Sequence, residues 1–285
     1  MTAPASSAAP PAQGTRGRID IRGASKLYLR PGSPPVQALL PVDLPIAPGE
    51  FVSLVGPSGC GKTTLLMMIC DLLGATTGTI AVDGRPVHAG DPTVSIAFQK
   101  PTLLRWKTVL ENVLLPARIM HNLDEDVRRR ADELLAVTGL STFKDRFPHE
   151  LSGGMQQRAS IVRALVTDPN VLLMDEPFAA LDEFTRDLLN DELLRLWTQR
   201  RKTVVFVTHN ISEAVYLSDR VVIMAPRPGR VLDVIDIPVP RPRRAEMRDE
   251  PEFTRLVRTI RTALNESSAP AATEPVKALA VEGQA

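Results

Sequence analysis

The chemistry of this chain is concentrated in a glycine-rich run between an apolar strand and an apolar helix. The run has the pattern G-x-x-x-x-G-K-[ST], and its members are Gly56, Pro57, Ser58, Gly59, Cys60, Gly61, Lys62 and Thr63. Glycines let the backbone curl until several N–H groups converge on phosphate oxygens. Lys62 can then reach the β- and γ-phosphates as a point charge, and the Thr63 hydroxyl is a ligand for Mg²⁺. The run therefore predicts a nucleoside triphosphate site.

The flanking residues are those that a phosphate site requires. Residues 51–55 are apolar and β-branched, which predicts a buried strand. Thr64 begins an apolar helix, expected over 64–73, whose N-terminal dipole favours an anion. The alternative is a chance match in a glycine-rich turn, and the strand and helix on either side argue against it.

A second predicted strand, at 171–174, ends in two carboxylates, Asp175 and Glu176. An acid at the carboxyl end of a buried parallel strand lies beside the phosphates at the edge of the sheet. We expect Asp175 to hold Mg²⁺ through water or Thr63, and Glu176 to polarise the attacking water. The alternative is an acidic helix cap before Pro177, but the preceding phosphate-binding loop favours the catalytic interpretation.

A third segment, LSGGMQQR at 151–158, begins a helix predicted over 153–167. Ser152 is a candidate N-cap, and the free amides behind it offer a second anion site. The alternative is an ordinary glycine-rich helix start, which is common in proteins. From the residues alone, both interpretations stay open.

The same segment closely resembles the signature sequence of ATP-binding cassette (ABC) ATPases. The resemblance covers about 18–235, and the motifs occur in that family's order. It implies ATP as the nucleotide and Mg²⁺ as the cofactor. It also implies nucleotide contacts from four residues of the signature segment: Ser152, Gly153, Gly154 and Gln156.

The resemblance assigns four more residues. Gln99 matches a glutamine that contacts Mg²⁺ and water, and His209 matches a switch histidine near the γ-phosphate; both join Lys62 and Glu176 as expected catalytic residues. Asp182 matches a loop that crosses a dimer interface. Tyr28 stands where an aromatic side chain stacks on adenine. The loop that follows, 31–35, is long and Pro-rich, which weakens this match and leaves a core tyrosine as the alternative. The other histidines lack such a context and are expected at the surface: His88, His121 and His149.

The pattern of strands and helices predicts an α/β protein. The resemblance implies a P-loop NTPase fold of the ABC ATPase type, with an N-terminal antiparallel β subdomain and a helical signature subdomain. We expect a disordered tail at 1–17, an ATPase domain at 18–240 with a helical insert at about 100–167, a helical extension at 241–266, and a second disordered tail at 267–285.

Composition excludes several classes of protein. Of 285 residues, 44% are hydrophobic and 24% charged, which is typical of a soluble globular protein. The formal net charge of +1 does not indicate a nucleic-acid binder. The sequence contains no apolar run of transmembrane length and no secretory signal. Cys60 and Cys70 lie on the phosphate loop and the following helix, so a disulfide is not expected and a reducing compartment is favoured.

One phosphate-binding loop and one signature segment per chain imply, through the resemblance, a head-to-tail homodimer. In that family the loop of one copy faces the signature of the other, so two copies complete two sites. Contacts from Lys62 on one side and from Ser152 and Gly154 on the other make closure depend on the γ-phosphate. Hydrolysis removes those contacts and opens the dimer.

Two functions compete within the family. One is the motor subunit of a membrane transporter; the other is a soluble ABC ATPase acting on nucleic acid or the ribosome. The second class usually shows twin cassettes, a coiled-coil insert or a basic surface, none of which this sequence indicates. Segments 103–113, 218–230 and 237–243 resemble importers for nitrate, alkanesulfonates and taurine. We expect an importer ATPase at the cytoplasmic face of the inner membrane, working with a transmembrane permease and an extracytoplasmic solute-binding protein; the solute stays open.

In such importers the segment around Trp106 lines the groove that receives the permease's coupling helix; the alternative for Trp106 is a core aromatic. The sequence departs from the family pattern at Lys100, Arg105 and Asp71, where an acid, a proline and a glycine are common. Lys100 and Arg105 predict a positive docking face matched by acidic residues of the permease. Asp71 argues against close packing at the end of the helix after the phosphate loop.

Overall fold

The computed structural model of the protein describes residues 16–179 and 181–267. Both predicted disordered tails fall almost entirely outside these ranges. The strands are β1 Ile19–Arg30, β2 Ser33–Ile46, β3 Phe51–Val55, β4 Thr77–Val82, β5 Arg85–Pro86, β6 Val94–Ala97, β7 Val171–Asp175, β8 Thr203–Thr208, β9 Arg220–Ala225 and β10 Arg230–Asp236. The α-helices are α1 Lys62–Ile69, α2 Val109–Val113, α3 Leu115–Ile119, α4 Glu125–Val137, α5 Gly153–Leu165, α6 Glu183–Arg200, α7 Ile211–Leu217 and α8 Pro251–Ser267.

Six strands form the central sheet in the order β10-β9-β3-β8-β7-β6. The five strands from β9 to β6 are parallel, and β10 is antiparallel at one edge. Every residue of β3, β7 and β8 is buried. Strands covered on both faces need apolar side chains at every position, which explains the continuous apolar runs of the sequence. The strands predicted at 51–55 and 171–174 are thereby confirmed.

A second, antiparallel sheet has the order β2-β1-β4-β5. No strand is predicted from the sequence at 33–46, and this is wrong. Strand β2 occupies this stretch although it contains prolines at 34, 35, 41 and 45. Strand β2 is at the edge of its sheet, where a residue without an N–H group interrupts no ladder on the outer side. The expected long loop at 31–35 is also wrong, because Arg30 pairs with Ser33 across a two-residue turn.

The two faces of the central sheet support separate cores. In β3, Phe51 and Val55 pack with the cluster that contains α6, α7 and α8, whereas Val52 and Leu54 pack with α1 and the antiparallel sheet. This alternation follows from the two-residue period of a strand. Helix α1 is therefore held between the two sheets, with the phosphate-binding loop at its N-terminus.

Helices α2 to α5 form the predicted helical insert around a third core. One helix is expected over 109–118, but two are present, because Pro116 lacks the N–H that would continue the ladder and its ring opposes the carbonyl of Asn112. Helix α5 belongs to both units: Ala159 and Val162 pack in the insert, and Ile161 and Ala164 pack against the central sheet. The position of the signature segment is thus coupled to the sheet.

Helix α1 ends at Ile69, before the predicted end at 73. Asp71 has a φ of 54°, in the left-handed region that glycine adopts without steric cost. A glycine is common at this position in the resembling family for that reason. The Asp71 side chain is exposed, so solvent accommodates the substitution.

Buried Asn112 of α2 shapes the loop that contains Trp106. Its Oδ1 accepts a hydrogen bond from the Leu104 amide at 2.7 Å, and its Nδ2 donates to the carbonyls of Leu104, Lys107 and Thr108 at 2.9–3.1 Å. One side chain therefore bonds four backbone groups, and two of these, the Leu104 and Thr108 carbonyls, also accept from the backbone amides of Lys107 and Asn112.

Asn112→Ala should destabilise the chain by about 1–3 kcal/mol, because the Leu104 amide and the Lys107 carbonyl lose their hydrogen-bond partner. Hydrogen exchange should accelerate at the Leu104 amide more than in the central strands. Denaturant unfolding and hydrogen–deuterium exchange measure the two effects. Asn122→Ala, at an exposed asparagine, is the matched control. Equal exchange in the two variants would contradict this role for Asn112.

Candidate nucleotide-binding site

A cleft of about 540 Å³ lies at the carboxyl edge of the central sheet. This volume is in the range of small-molecule sites. Its lining comes from five parts of the chain: Tyr28, Val36, Gln37 and Ala38 of the β1–β2 hairpin; Ser58, Gly59, Gly61, Lys62, Thr63 and Thr64 of the phosphate-binding loop and α1; Gln99 after β6; Glu176 after β7; and Arg227, Pro228 and Gly229 after β9. The fold thus collects the predicted loop, glutamine, glutamate and tyrosine around one cleft.

The phosphate-binding loop has the expected strand–loop–helix geometry. Gly61 is the N-cap of α1 with a φ of 92°, which an L side chain rarely adopts. Lys62 is buried, and its Nζ donates to the carbonyls of Gly56 at 2.8 Å and Pro57 at 3.1 Å. The ammonium group therefore lies over the loop whose backbone is expected to hold phosphates.

The two cysteines are free and buried, as predicted. Burial raises the pKa of both the Cys60 and the Cys70 thiol. A thiol kept protonated is a poor nucleophile, so Cys60 contributes packing to the loop rather than chemistry.

Two of the three predicted magnesium ligands are in direct contact. The Thr63 hydroxyl donates to Asp175 Oδ1 at 3.0 Å, although 112 positions separate the two residues. Asp175 is buried, and desolvation raises the pKa of its carboxyl group. The third residue, Gln99, is exposed and lines the same cleft. All three supply oxygen donors, the ligand type that Mg²⁺ prefers.

Glu176 and His209 form the other polar pair of the cleft edge. His209 Nδ1 lies 3.2 Å from Glu176 Oε2. Glu176 has a φ of 44°, so the chain leaves β7 in a conformation that costs about 1–2 kcal/mol for a residue with a Cβ. Such strain is typical of functional sites. The strained turn aims the carboxylate across the sheet edge to the end of β8.

A buried polar layer beneath His209 was missed by the sequence analysis. The Thr208 hydroxyl donates to Glu213 Oε2 and accepts from the Asn210 amide, and the Asn210 side chain caps α7 by accepting from the Glu213 amide at 3.1 Å. Glu213 is 5% exposed. Its other oxygen, Oε1, and Asn190 Oδ1 are buried acceptors without a donor among the described residues. The available signal was a lone acid among the apolar residues that follow His209.

The signature segment is anchored but stands apart from the cleft. Ser152 is the N-cap of α5, accepting from the Met155 amide at 3.3 Å, and its side chain is exposed. Gln156 donates to the Pro148 and Leu151 carbonyls, at 2.9 and 3.2 Å, so it shapes the turn before the helix. None of residues 151–158 is among the described residues that line the cleft. Nucleotide contacts from Ser152, Gly153, Gly154 and Gln156 therefore stay a prediction.

The remaining predicted residues are placed as follows. Tyr28 is 37% exposed and lines the cleft, so the alternative of a core tyrosine is wrong; stacking on adenine stays a prediction. Asp182 caps α6, accepting from the Thr185 amide at 2.9 Å, and this bond lowers its pKa. The three histidines expected at the surface are exposed: His88, His121 and His149.

Burial makes Glu213 a pH-dependent element of stability. Desolvation raises the pKa of its carboxyl above the ordinary value, so the folded chain retains this proton to higher pH than the unfolded chain. The stabilisation from that proton is complete below the ordinary pKa and is lost as pH rises through the raised value.

Glu213→Gln should therefore stabilise the chain by about 1 kcal/mol at about pH 8, since the amide carries no charge to bury and also supplies a donor for Asn190 Oδ1, and the gain should shrink towards about pH 5. Urea unfolding at the two pH values measures it. Glu266→Gln, at an exposed residue of α8, is the control. A gain that stays constant with pH would contradict the assignment.

Known proteins resemble this chain in both sequence and structure. The family model described as ABC transporter matches residues 39–179. The taurine import ATP-binding protein of Jannaschia sp. is 44% identical over 213 residues, which are 75% of this chain and 80% of that protein. The aliphatic sulfonates import ATP-binding protein of Bacillus cereus is 43% identical over 225 residues, 79% of this chain and 88% of that protein.

Solved structures of ABC transporter proteins also resemble this chain. The dimeric bacterial ABC transporter cassette MJ0796 superimposes with a TM-score of 0.69 at 34% identity, covering 77% of this chain and 98% of that one. The protein cbiO1 from Clostridium perfringens, described as part of an ABC transporter complex, gives a TM-score of 0.68 at 27% identity, covering 88% of this chain and 99% of that one. With the cleft, the phosphate-binding loop and the signature helix in place, this chain belongs to the ABC transporter family and is one of its nucleotide-binding, ATP-hydrolysing cassettes.

Proposed function

We propose that this cassette is the motor subunit of an importer for a small solute of the nitrate, sulfonate or taurine type. The observation that carries the proposal is the 43–44% identity to proteins named for taurine and aliphatic sulfonate import, over about three quarters of the chain. No helix in the described part of the chain is long and apolar enough to cross a membrane. The subunit would be peripheral, at the cytoplasmic face, and a separate permease and an extracytoplasmic solute-binding protein would handle the solute.

The working unit in this proposal is a head-to-tail homodimer. Each copy offers a cleft with Lys62 and, on a different surface, the exposed N-terminus of α5 at Ser152. A helix N-terminus with free amides attracts an anion. A bound triphosphate would therefore join the cleft of one copy to the α5 N-terminus of the other. A solved relative, MJ0796, is described as dimeric, which supports this arrangement.

Within the cleft each residue has a proposed task. Lys62 and the loop amides bind the β- and γ-phosphates, and Thr63, Asp175 and Gln99 hold Mg²⁺, which supplies positive charge to the phosphates. Glu176 accepts the proton of the attacking water. His209, in contact with the Glu176 carboxylate at 3.2 Å, orients that group and responds to the γ-phosphate.

The docking surface for the permease is the loop that contains Trp106. Trp106 is 72% exposed, so a core role is wrong, and Arg105 and Lys100 are exposed as well. Lys107 and Arg118 lie 3.7 and 3.8 Å from Glu111, so this acid links the loop side of α2 to α3. The exposed indole ring of Trp106 is therefore surrounded by positively charged side chains on a rigid loop. We propose that it receives a permease segment with acidic residues.

Glu176→Gln should leave nucleotide binding intact and lower ATP turnover by roughly 10²–10⁴-fold, because the proton acceptor is lost while the phosphate contacts remain. Lys62→Ala should instead lose nucleotide affinity. Phosphate release and titration with a fluorescent nucleotide separate the two effects. Full turnover in the Glu176 variant would contradict the assigned base.

Reversing the docking charge should weaken assembly. Lys100→Glu with Arg105→Glu should reduce the amount of permease that co-purifies from source membranes, since the expected attraction becomes repulsion. Arg85→Glu with Arg261→Glu, at two exposed arginines on other surfaces, makes the same change in net charge and is the control. Unchanged co-purification would reject the charge match. A wild-type chain that fractionates with ribosomes or nucleic acid instead of membranes would favour the soluble alternative.

A further inference from the structure

The turn between β9 and β10 reaches the nucleotide cleft from outside the sequence motifs. It contains Arg227, Pro228 and Gly229, all three of which line the cleft. In the sequence, the segment 218–230 resembles importers, but the resemblance gives it no function. Its position in the fold gives it one.

The backbone of this turn is fixed against the phosphate-binding loop. The Gly229 amide donates to the Ala38 carbonyl at 3.1 Å, and the Leu40 amide donates to the Gly229 carbonyl at 2.8 Å. A Cβ on Gly229 would lie 2.5 Å from the Cys60 carbonyl oxygen and 2.6 Å from that of Ala38. Only glycine fits between β2 and the loop, so the turn cannot move relative to the phosphate site without breaking these contacts.

Arg227 is the charged group that this fixed turn presents. Its φ is 56°, a left-handed conformation that costs about 1–2 kcal/mol for a residue with a side chain. The residue is exposed, and its guanidinium forms no hydrogen bond or ion pair within the described part of the chain. Strain of this kind persists at sites where a ligand uses the resulting geometry.

The charges of the cleft indicate that the guanidinium of Arg227 binds an anionic group of a ligand. Lys62 is the other cation of the lining, and its ammonium is already shared between two loop carbonyls. Glu176 adds a negative charge to the same cleft. A polyphosphate carries several negative charges, so a second cationic side chain would add to the attraction that Lys62 and the proposed Mg²⁺ provide. Guanidinium groups bind phosphate oxygens through two parallel hydrogen bonds, which suits this task.

We propose that Arg227 is a nucleotide-binding residue that contacts the phosphate chain, supplementing Lys62. The inference rests on the proposed placement of ATP in this cleft. Arg227 lies on the same chain as the phosphate-binding loop, so it acts before dimer closure and on the diphosphate as well as the triphosphate. Arg230, three residues further on, bonds the Pro228 carbonyl at 3.5 Å and is not among the described residues lining the cleft. It offers a matched arginine at the start of β10.

The test is calorimetric titration of the full chain with ADP, AMP and adenosine in the presence of magnesium. Arg227→Ala should weaken ADP binding about tenfold, the loss expected for one charge-assisted contact. The loss should be smaller for AMP and absent for adenosine. Arg227→Lys should recover part of the affinity, and Arg230→Ala should match the wild type. The slope of log Kd against log salt should also fall in the Arg227→Ala chain, as one charge contact is removed.

Lys62→Ala in the same assay distinguishes a failure of the inference on Arg227 from a failure of the proposed nucleotide site. If Lys62→Ala loses ADP while Arg227→Ala does not, the inference on Arg227 is overturned and the proposed site stands. If neither change affects binding, the proposed site itself fails. Equal losses of ADP and adenosine in Arg227→Ala overturn the phosphate contact, because they place the guanidinium on the base or ribose.

Discussion

The lateral register of three buried strands organises the whole catalytic edge. Val55 at the end of β3 pairs with Thr208 at the end of β8, and Asp175 at the end of β7 pairs with Val207. Parallel strands that end together release their loops at one edge of the sheet. The phosphate-binding loop, the two carboxylates and His209 therefore meet there. A one-residue slip would turn every side chain of a strand to the opposite face, so the two cores on either side of the sheet also hold the site in place.

The acidic side chains buried beneath that edge of the sheet make the site sensitive to nearby positive charge. Asp175 and Glu213 are desolvated acids whose pKa values are raised, and each accepts a hydrogen bond from a threonine hydroxyl. Placing charge there is costly without a compensating cation. A magnesium ion would relieve that cost at Asp175. At Glu213 the positive charge of Arg186 offsets part of that cost, and the Glu213 layer joins Thr208, the neighbour of His209, to helix α7.

Separate surfaces for the cleft and the signature explain why a cassette of this kind would work in pairs. Helix α5 packs in both the insert and the central core, and Gln157 donates to the Phe98 carbonyl at 3.3 Å, beside Gln99. The signature and the cleft of one chain are thus mechanically linked although they do not face one nucleotide. Under the proposed dimer, closure at one site would pass through α5 to the loop that contains Trp106. The buried Asn112 gives that loop the rigidity such transmission requires.

Motif chemistry and the apolar strand runs predicted an α/β fold, the phosphate-binding loop and the acidic pair after β7, because these depend on local residue types at short spacing. The resemblance of the motifs to a known family added the ABC type of the fold and the histidine after β8. Local signals failed where the environment overrides propensity. Prolines in β2 are tolerated because that strand is an edge, and the likeness at 218–230 had no assigned task until β9 and β10 placed Arg227 beside the loop. Only the tertiary structure decided which distant segments share a cleft, and which acid is buried under His209, because such contacts depend on strand order and register, and no local pattern encodes either.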